Sequence, residues 1–323
     1  EVQLAVLETA RGAATGVGLA FDACEVTVCT NVSAEHIGLR GIETVADMAE
    51  LKEFIVQRAR GAVVLNADNA YSAGMLPRLA GRQAWLVSAE RTGADLLAEQ
   101  GDGVNFCVAE RDGDTDWIKL YTAGRIVPVM PVRDIPITHG GQLRYNVSNA
   151  LQATAAAFHL GAAPEEIREA LSAFTPSFED SPGRLNFYRE LPFTVLMDSA
   201  HSGEGFEYLM DFVDTLQAEE RKAILFAVSG SMKDEDIAER AGMVAGHFDL
   251  YLCRNYQNLH GRERRKQRIR AAQKTVHPPL VEGLDPAVVA VIVRCLDSDP
   301  SVRPPSVPPI PGTSVSRISA PSS

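Results

Sequence analysis

The sequence predicts an α/β protein: a mainly parallel sheet with an antiparallel extension, then a second α/β unit, then a tail rich in proline and serine. Three observations predict it. Short apolar strands recur with helical stretches between them, the pattern of a sheet covered on both faces. The 323 residues carry 46% hydrophobic and 23% charged side chains, an ordinary globular balance in a chain long enough for two domains. From Pro300 onward seven prolines fall among serines, a composition that buries too little apolar surface to order itself.

Taken in order, residues 4–7 form a short apolar strand and residues 26–30 a β-branched one. Thr44 opens a helix, with Asp47 three residues on as a capping box. A third strand at 62–65 stops at the polar run Asn66-Ala67-Asp68-Asn69, and 84–87 is a fourth. From about 103 to 137 short strands alternate with turn residues such as Thr122-Ala123-Gly124, which predicts the antiparallel extension. Alanine-rich helices follow at 146–160 and 164–174, and 174–183 is rich in turn formers, a hinge. Beyond it a Rossmann-like unit alternates strands near 194–198, 223–228 and 249–253 with helices near 204–217 and 233–246. A basic run at 262–274 precedes a helix-like stretch at 286–296. The domains are therefore expected at 1–175 and 176–265, with a divergent tail at 266–323, disordered from about 298.

Charge and composition exclude several classes. Lys plus Arg number 31 against 42 Asp plus Glu, a net charge of −11, so no general nucleic-acid partner is expected. No apolar run approaches the roughly 18 residues that span a bilayer, and the start Glu1-Val2-Gln3-Leu4 has no signal-peptide core. Five scattered cysteines without metal-ligand spacing read as reduced thiols of a cytoplasmic protein. The chain holds no G-x-x-x-x-G-K-[ST] phosphate loop, no G-x-S-x-G elbow and no H-E-x-x-H helix.

The candidate chemistry lies at strand ends. Glu8 follows the first strand, where a carboxylate can hold Mg²⁺ beside a phosphate or simply be solvated. His36 follows the second strand, a place for a metal ligand, a general acid/base or a surface residue. Met48, Lys52 and Ile55 share one helix face, so Lys52 either snorkels or is placed for a task. Asn66, Asp68 and Asn69 end the third strand, and Asn146 and Asn149 open an alanine-rich helix; turn and cap are the plain readings. In the second unit a strand ends in Asp198 and runs through small residues to His201 at a helix start, a geometry of nucleotide sites and equally of a structural cap.

Together these segments resemble the Mur ligase superfamily and, within it, the Mur-like half of the cyanophycin synthetase family. The resemblance is carried by Ala5-Val6-Leu7-Glu8-Thr9-Ala10-Arg11-Gly12, Thr30-Asn31, residues 36–44, Leu65-Asn66-Ala67-Asp68, residues 141–150, Ser181-Pro182-Gly183-Arg184 and Asp198-Ser199-Ala200-His201, over about residues 1–265. Ser199, Ser202 and Gly203 stand where the family has Tyr, Asn and Pro. The resemblance implies an ATP-dependent ligase that joins arginine to the β-carboxyl of aspartate in a polyaspartate backbone through an acyl phosphate. It implies Glu8 and His36 as Mg²⁺ ligands, with Lys52 carbamylated as a third. His36 and Lys52 are then the catalytic pair, and Asn66, Asn146, Arg184, Asp198 and His201 contact the nucleotide. The partners implied are ATP, arginine and the aspartate-containing polymer, with a homo-oligomer compatible. The family's phosphate loop precedes the Glu8 segment, so the chain is expected to be a fragment with little activity alone. A folylpolyglutamate or UDP-MurNAc-peptide type of ligase, or a catalytically dead binding remnant, are the alternatives. The segments 282–286 and 294–304 are similar to the closing helices of bacterial Ser/Thr protein kinases.

Overall fold

Residues 3–19, 21–34, 37, 41–79, 81–200, 202–218, 221–227, 234–253 and 288–294 are described by the computed structural model. They divide into two units, one ending at Phe174 and one beginning at Thr175.

The first unit runs β1 (Cys24–Cys29), α1 (Val45–Val56), β2 (Ala59–Asn66), the single turn α2 (Ala70–Ala73), β3 (Gln83–Ser88), α3 (Gly93–Gln100), β4 (Asn105–Asp112), β5 (Thr115–Thr122), β6 (Arg125–Pro131), α4 (Arg144–His159) and α5 (Pro164–Ala173). The strands lie in sequence order across one sheet. β1 to β4 pair parallel, and β5 and β6 extend the sheet antiparallel. Alternation along β2 sends Ala62 and Val64 to one face, with Val147, Leu151 and Ala155 of α4. Val63 and Leu65 go to the other, with Met48 and Val56 of α1 and Leu96 of α3. Burial on both faces is why this strand is an unbroken apolar run.

The capping box at Thr44 forms as its spacing predicts: Thr44 Oγ1 accepts the Asp47 N–H at 3.1 Å, and the Asp47 carboxylate accepts the Thr44 N–H at 2.9 Å. Thr92 and Asp95 start α3 by the same device.

The strand expected at 4–7 does not form. Leu4 and Val6 are 61% and 89% exposed, no strand pairs with them, and β1 stands at the sheet edge. Apolar pattern alone makes no strand where no neighbour's backbone takes up its hydrogen bonds.

The second unit contains β7 (Asn186–Tyr188), β8 (Val195–Asp198), α6 (Gly203–Thr215), β9 (Arg221–Ala227), α7 (Asp234–Val244), β10 (Leu250–Cys253) and β11 (Val288–Arg294). Its sheet order is β10-β9-β11-β8-β7, with β7 alone antiparallel. The helix expected at 286–296 is instead a strand, running parallel between β8 and β9. Val288-Val289-Ala290-Val291-Ile292-Val293 is rich in β-branched residues, which favours a strand over a helix for so short an apolar run. The segment first read as a divergent tail thus supplies the middle strand of this sheet. Residues 254–287 and 295–323 lie outside the described residues, and with them the kinase-like segments (apart from Arg294) and the expected disorder.

Candidate functional site

β1, β2 and β3 end side by side, and the residues just past them form one polar cluster. Its centre is the Thr30 carbonyl, which accepts Asn66 Nδ2 at 3.1 Å and Gln152 Nε2 at 3.4 Å. One oxygen beyond β1 therefore binds the end of β2 and the side of α4. Lys52 reaches the next residue: its half-buried stem runs from α1, and Nζ donates to the Asn31 carbonyl at 2.5 Å. Buried Ser72 gives its hydroxyl proton to the Cys29 carbonyl and accepts the Asn66 N–H, fastening α2 beneath the same strand ends. Burial pushes the Cys29 thiol up, with the Ser72 hydrogen bond and the Lys52 charge pulling the other way.

Asp68 joins β2 to β3. Its carboxylate accepts the Ser88 hydroxyl and, at 2.7 Å, the Ala89 N–H. Ser88 Oγ in turn accepts the N–H groups of Glu90 and Arg91, so the loop after β3 is pinned through this one carboxylate. α4 enters from a turn in which Gly140 and Gly141 both take positive φ, and no side chain caps its first residue. Along its entering turns Arg144 donates to the Ala89 carbonyl, Asn146 to the Ile137 carbonyl, and Asn149 Nδ2 to Asn146 Oδ1. A lysine, an exposed arginine and a row of carboxamides thus meet at the carboxyl ends of parallel strands. That is where open α/β sheets bind ligands, and this donor set suits an anionic, polar one.

In the second unit Asp198 ends β8, buried, with Oδ2 accepting the Leu185 N–H at 2.9 Å and Oδ1 the Ala200 N–H at 2.7 Å. Arg184, exposed, is the neighbour of that tied Leu185. Gly183 has a φ of 74°, and a Cβ there would stand 2.7 Å from Ser199 Oγ, so glycine and a small partner suit each other at this corner. Ser202 caps α6 by accepting the Gly205 N–H.

The predicted residues are thus unevenly placed. Lys52 and Asn66 join the first cluster, Asn146 bonds to the Ile137 carbonyl at the start of α4, and Arg184 and Asp198 share the second. Glu8 is exposed in a stretch without regular structure, with no bond to the cluster, and His36 and His201 lie outside the described residues. Among the described residues no three His, Cys, Asp or Glu side chains group to hold a metal ion. Of the three Mg²⁺ ligands that the resemblance implies, Glu8 is exposed, Lys52 bonds to the Asn31 carbonyl, and His36 lies outside the described residues. Sequence reasoning missed Gln152, hidden as an ordinary helix residue, and Ser88, whose partner Asp68 lies in the turn after β2, 20 residues away. Among the described residues no helix is long and apolar enough to cross a membrane.

No protein-family model matches the chain. Its architecture is similar to that of MurF from Acinetobacter baumannii, with a TM-score of 0.54 at 14% identity over 83% of this chain and 56% of that one. The fold is that of the Mur ligases. In sequence it is similar to cyanophycin synthetases: 30% identical over 270 residues to that of Crocosphaera subtropica, and 31% identical over 263 residues to that of Synechocystis sp.. Each match covers 81% of this chain but only 30% and 29% of those proteins, so the chain spans about 30% of the length of these relatives.

Proposed function

We propose that the chain carries the ligase site of an ATP-dependent amide ligase of the cyanophycin synthetase type. A β-carboxylate of a polyaspartate backbone attacks the γ-phosphorus of ATP and ADP leaves; the amine of arginine then attacks the acyl carbon, and phosphate and a proton leave. The observation that carries this reading is the convergence of β1, β2 and α4 on the Thr30 carbonyl, which takes Asn66 and Gln152 with Lys52 on the carbonyl of the next residue, Asn31. In this reading Arg144 and the Asn146–Asn149 pair face the nucleotide, and Lys52 stands nearest the transferred phosphoryl group. In the second unit Arg184, His201 and, through the loop it holds, Asp198 are read as nucleotide contacts, and His36 as a Mg²⁺ ligand.

Titration of the chain with a fluorescent ATP analogue tests the reading. Saturable binding that ATP displaces is expected, weakened about tenfold by Asn146→Asp, the loss of one good hydrogen bond. Absence of displaceable binding sinks it. The exposed, isolated Glu8 favours a second reading, a segment that binds nucleotide without turning it over. Phosphate release with ATP, arginine and an aspartate-rich primer separates the two, and glutamate in place of arginine tests the folylpolyglutamate type.

A further inference from the structure

Asn186 opens β7 with no exposed surface. Its carboxamide serves the segment before it. Nδ2 lies 3.1 Å from the Pro176 carbonyl oxygen, 3.0 Å from that of Ser177, 2.9 Å from that of Ser181 and 3.3 Å from that of Arg184. Oδ1 accepts the Gly183 N–H at 2.5 Å. Four acceptors surround an amino group that has two hydrogens. The bonds are therefore shared, and four carbonyl dipoles aim at one positive centre, as they do around a small cation.

A loop closed on such a centre has little freedom in where its end emerges. That end is exposed Arg184, followed by Leu185, which is held at a φ of 48° with its N–H on Asp198. A leucine keeps that backbone conformation only where its surroundings impose it. An asparagine needed only to start a strand would not require five bonds to residues 176–184.

We propose that Asn186 is a positioning residue: its carboxamide stands in for a cation inside the carbonyl ring of residues 176–184 and so presets Arg184 beside Asp198 for an anionic ligand, the phosphates of a nucleotide. The ring is independent of the ATP reading; the identity of the ligand rests on it.

The test combines amide-resolved hydrogen exchange with ATP-analogue binding on the full chain, comparing Asn186→Ala and Asn186→Asp with the parent. In both variants the amides of Gly183 to Asn186 should exchange at least about tenfold faster, while β8, β9 and α6 keep their protection. Ammonium, small enough to enter the ring, should restore slow exchange in Asn186→Ala, and tetramethylammonium should not. ATP affinity should fall about tenfold in step with the loop and return with ammonium. Unchanged exchange at 183–186, loss of protection throughout the second unit, or no response to ammonium would each overturn the ring. A loosened loop with unaltered ATP affinity would overturn the presetting of Arg184. If the parent chain binds no ATP, the nucleotide reading falls, and the exchange measurements still decide the role of Asn186.

Discussion

Asp68→Asn is the sharpest test of the strand-end cluster. Asparagine keeps the shape of aspartate but turns one acceptor into a donor, and Asp68 uses both oxygens, on the Ser88 hydroxyl and on the Ala89 N–H. Ser88 offers little relief, because its Oγ already accepts two backbone N–H groups. Either orientation of the new amide sets donor against donor. Losing one charge-assisted bond costs about 1.5–3 kcal/mol, and stranding the Ala89 N–H adds to it. Because Asp68 is only half-buried, water recovers part of that, and about 2–3 kcal/mol remains. For a unit of this size the melting temperature should fall by roughly 5–10 °C. Both tryptophans, Trp85 and Trp117, lie in the first unit, and Trp85 is buried on β3 beside Ser88, so tryptophan fluorescence reports this unit alone. A shift below about 1 °C would refute the reasoning. In a double-mutant cycle with Ser88→Ala, a coupling of at least about 1 kcal/mol is expected.

The same melts test three further expectations. At Gly93, which opens α3, an added Cβ would stand inside the Tyr121 ring, and that ring is tethered by its hydroxyl to Glu110 at 2.7 Å; Gly93→Ala should destabilise by about 1–3 kcal/mol, and a neutral result would show that the ring can move. Arg78 holds buried Glu53 through two bonds of 2.6 Å, and its removal as Arg78→Met should cost about 1–2 kcal/mol at neutral pH, below the full buried-pair cost because the arginine is more than half exposed. The Arg78 bond holds the Glu53 carboxyl below its ordinary value of 4.5, so this stabilisation is present above that pH and disappears as pH falls through the folded value. The deficit of Arg78→Met should therefore shrink in acid urea titrations, and a deficit independent of pH would contradict the assignment. Lys52→Met gives up one bond from a half-buried side chain and should cost less than about 1 kcal/mol; a loss above about 2 kcal/mol would make Lys52 a structural residue rather than a functional one.

Much of the fold was legible because local signals and tertiary placement agree. β2 and β3 are buried on both faces and read as unbroken apolar runs, and Thr44 with Asp47 announces α1 three residues ahead. Thr92 and Asp95 carry the same signal for α3, which sequence reading passed over because the stretch follows a strand and is short. Two elements were read wrongly for one reason. The apolar runs at 4–7 and 288–294 differ in β-branched content, but pairing decides the outcome: no neighbouring strand takes up the first, while β8 and β9 take up the second. The site divides in the same way. Lys52 showed itself by lying on an apolar helix face, while Gln152, Ser88 and Asn186 gain their meaning from partners on other elements, 122, 20 and up to 10 residues away.

β11 joins two halves of a sheet that would otherwise be separate, β7 with β8 and β9 with β10. On the ribosome those halves are complete long before residues 288–294 exist. Until then β8 and β9 each present an unpaired edge, the kind of surface that recruits strands from other chains. The second unit must therefore close late, through pairings of high sequence separation that form slowly. An expression boundary set just after Cys253 would leave both edges permanently open, and a chaperone bound during synthesis would have a defined segment to wait for.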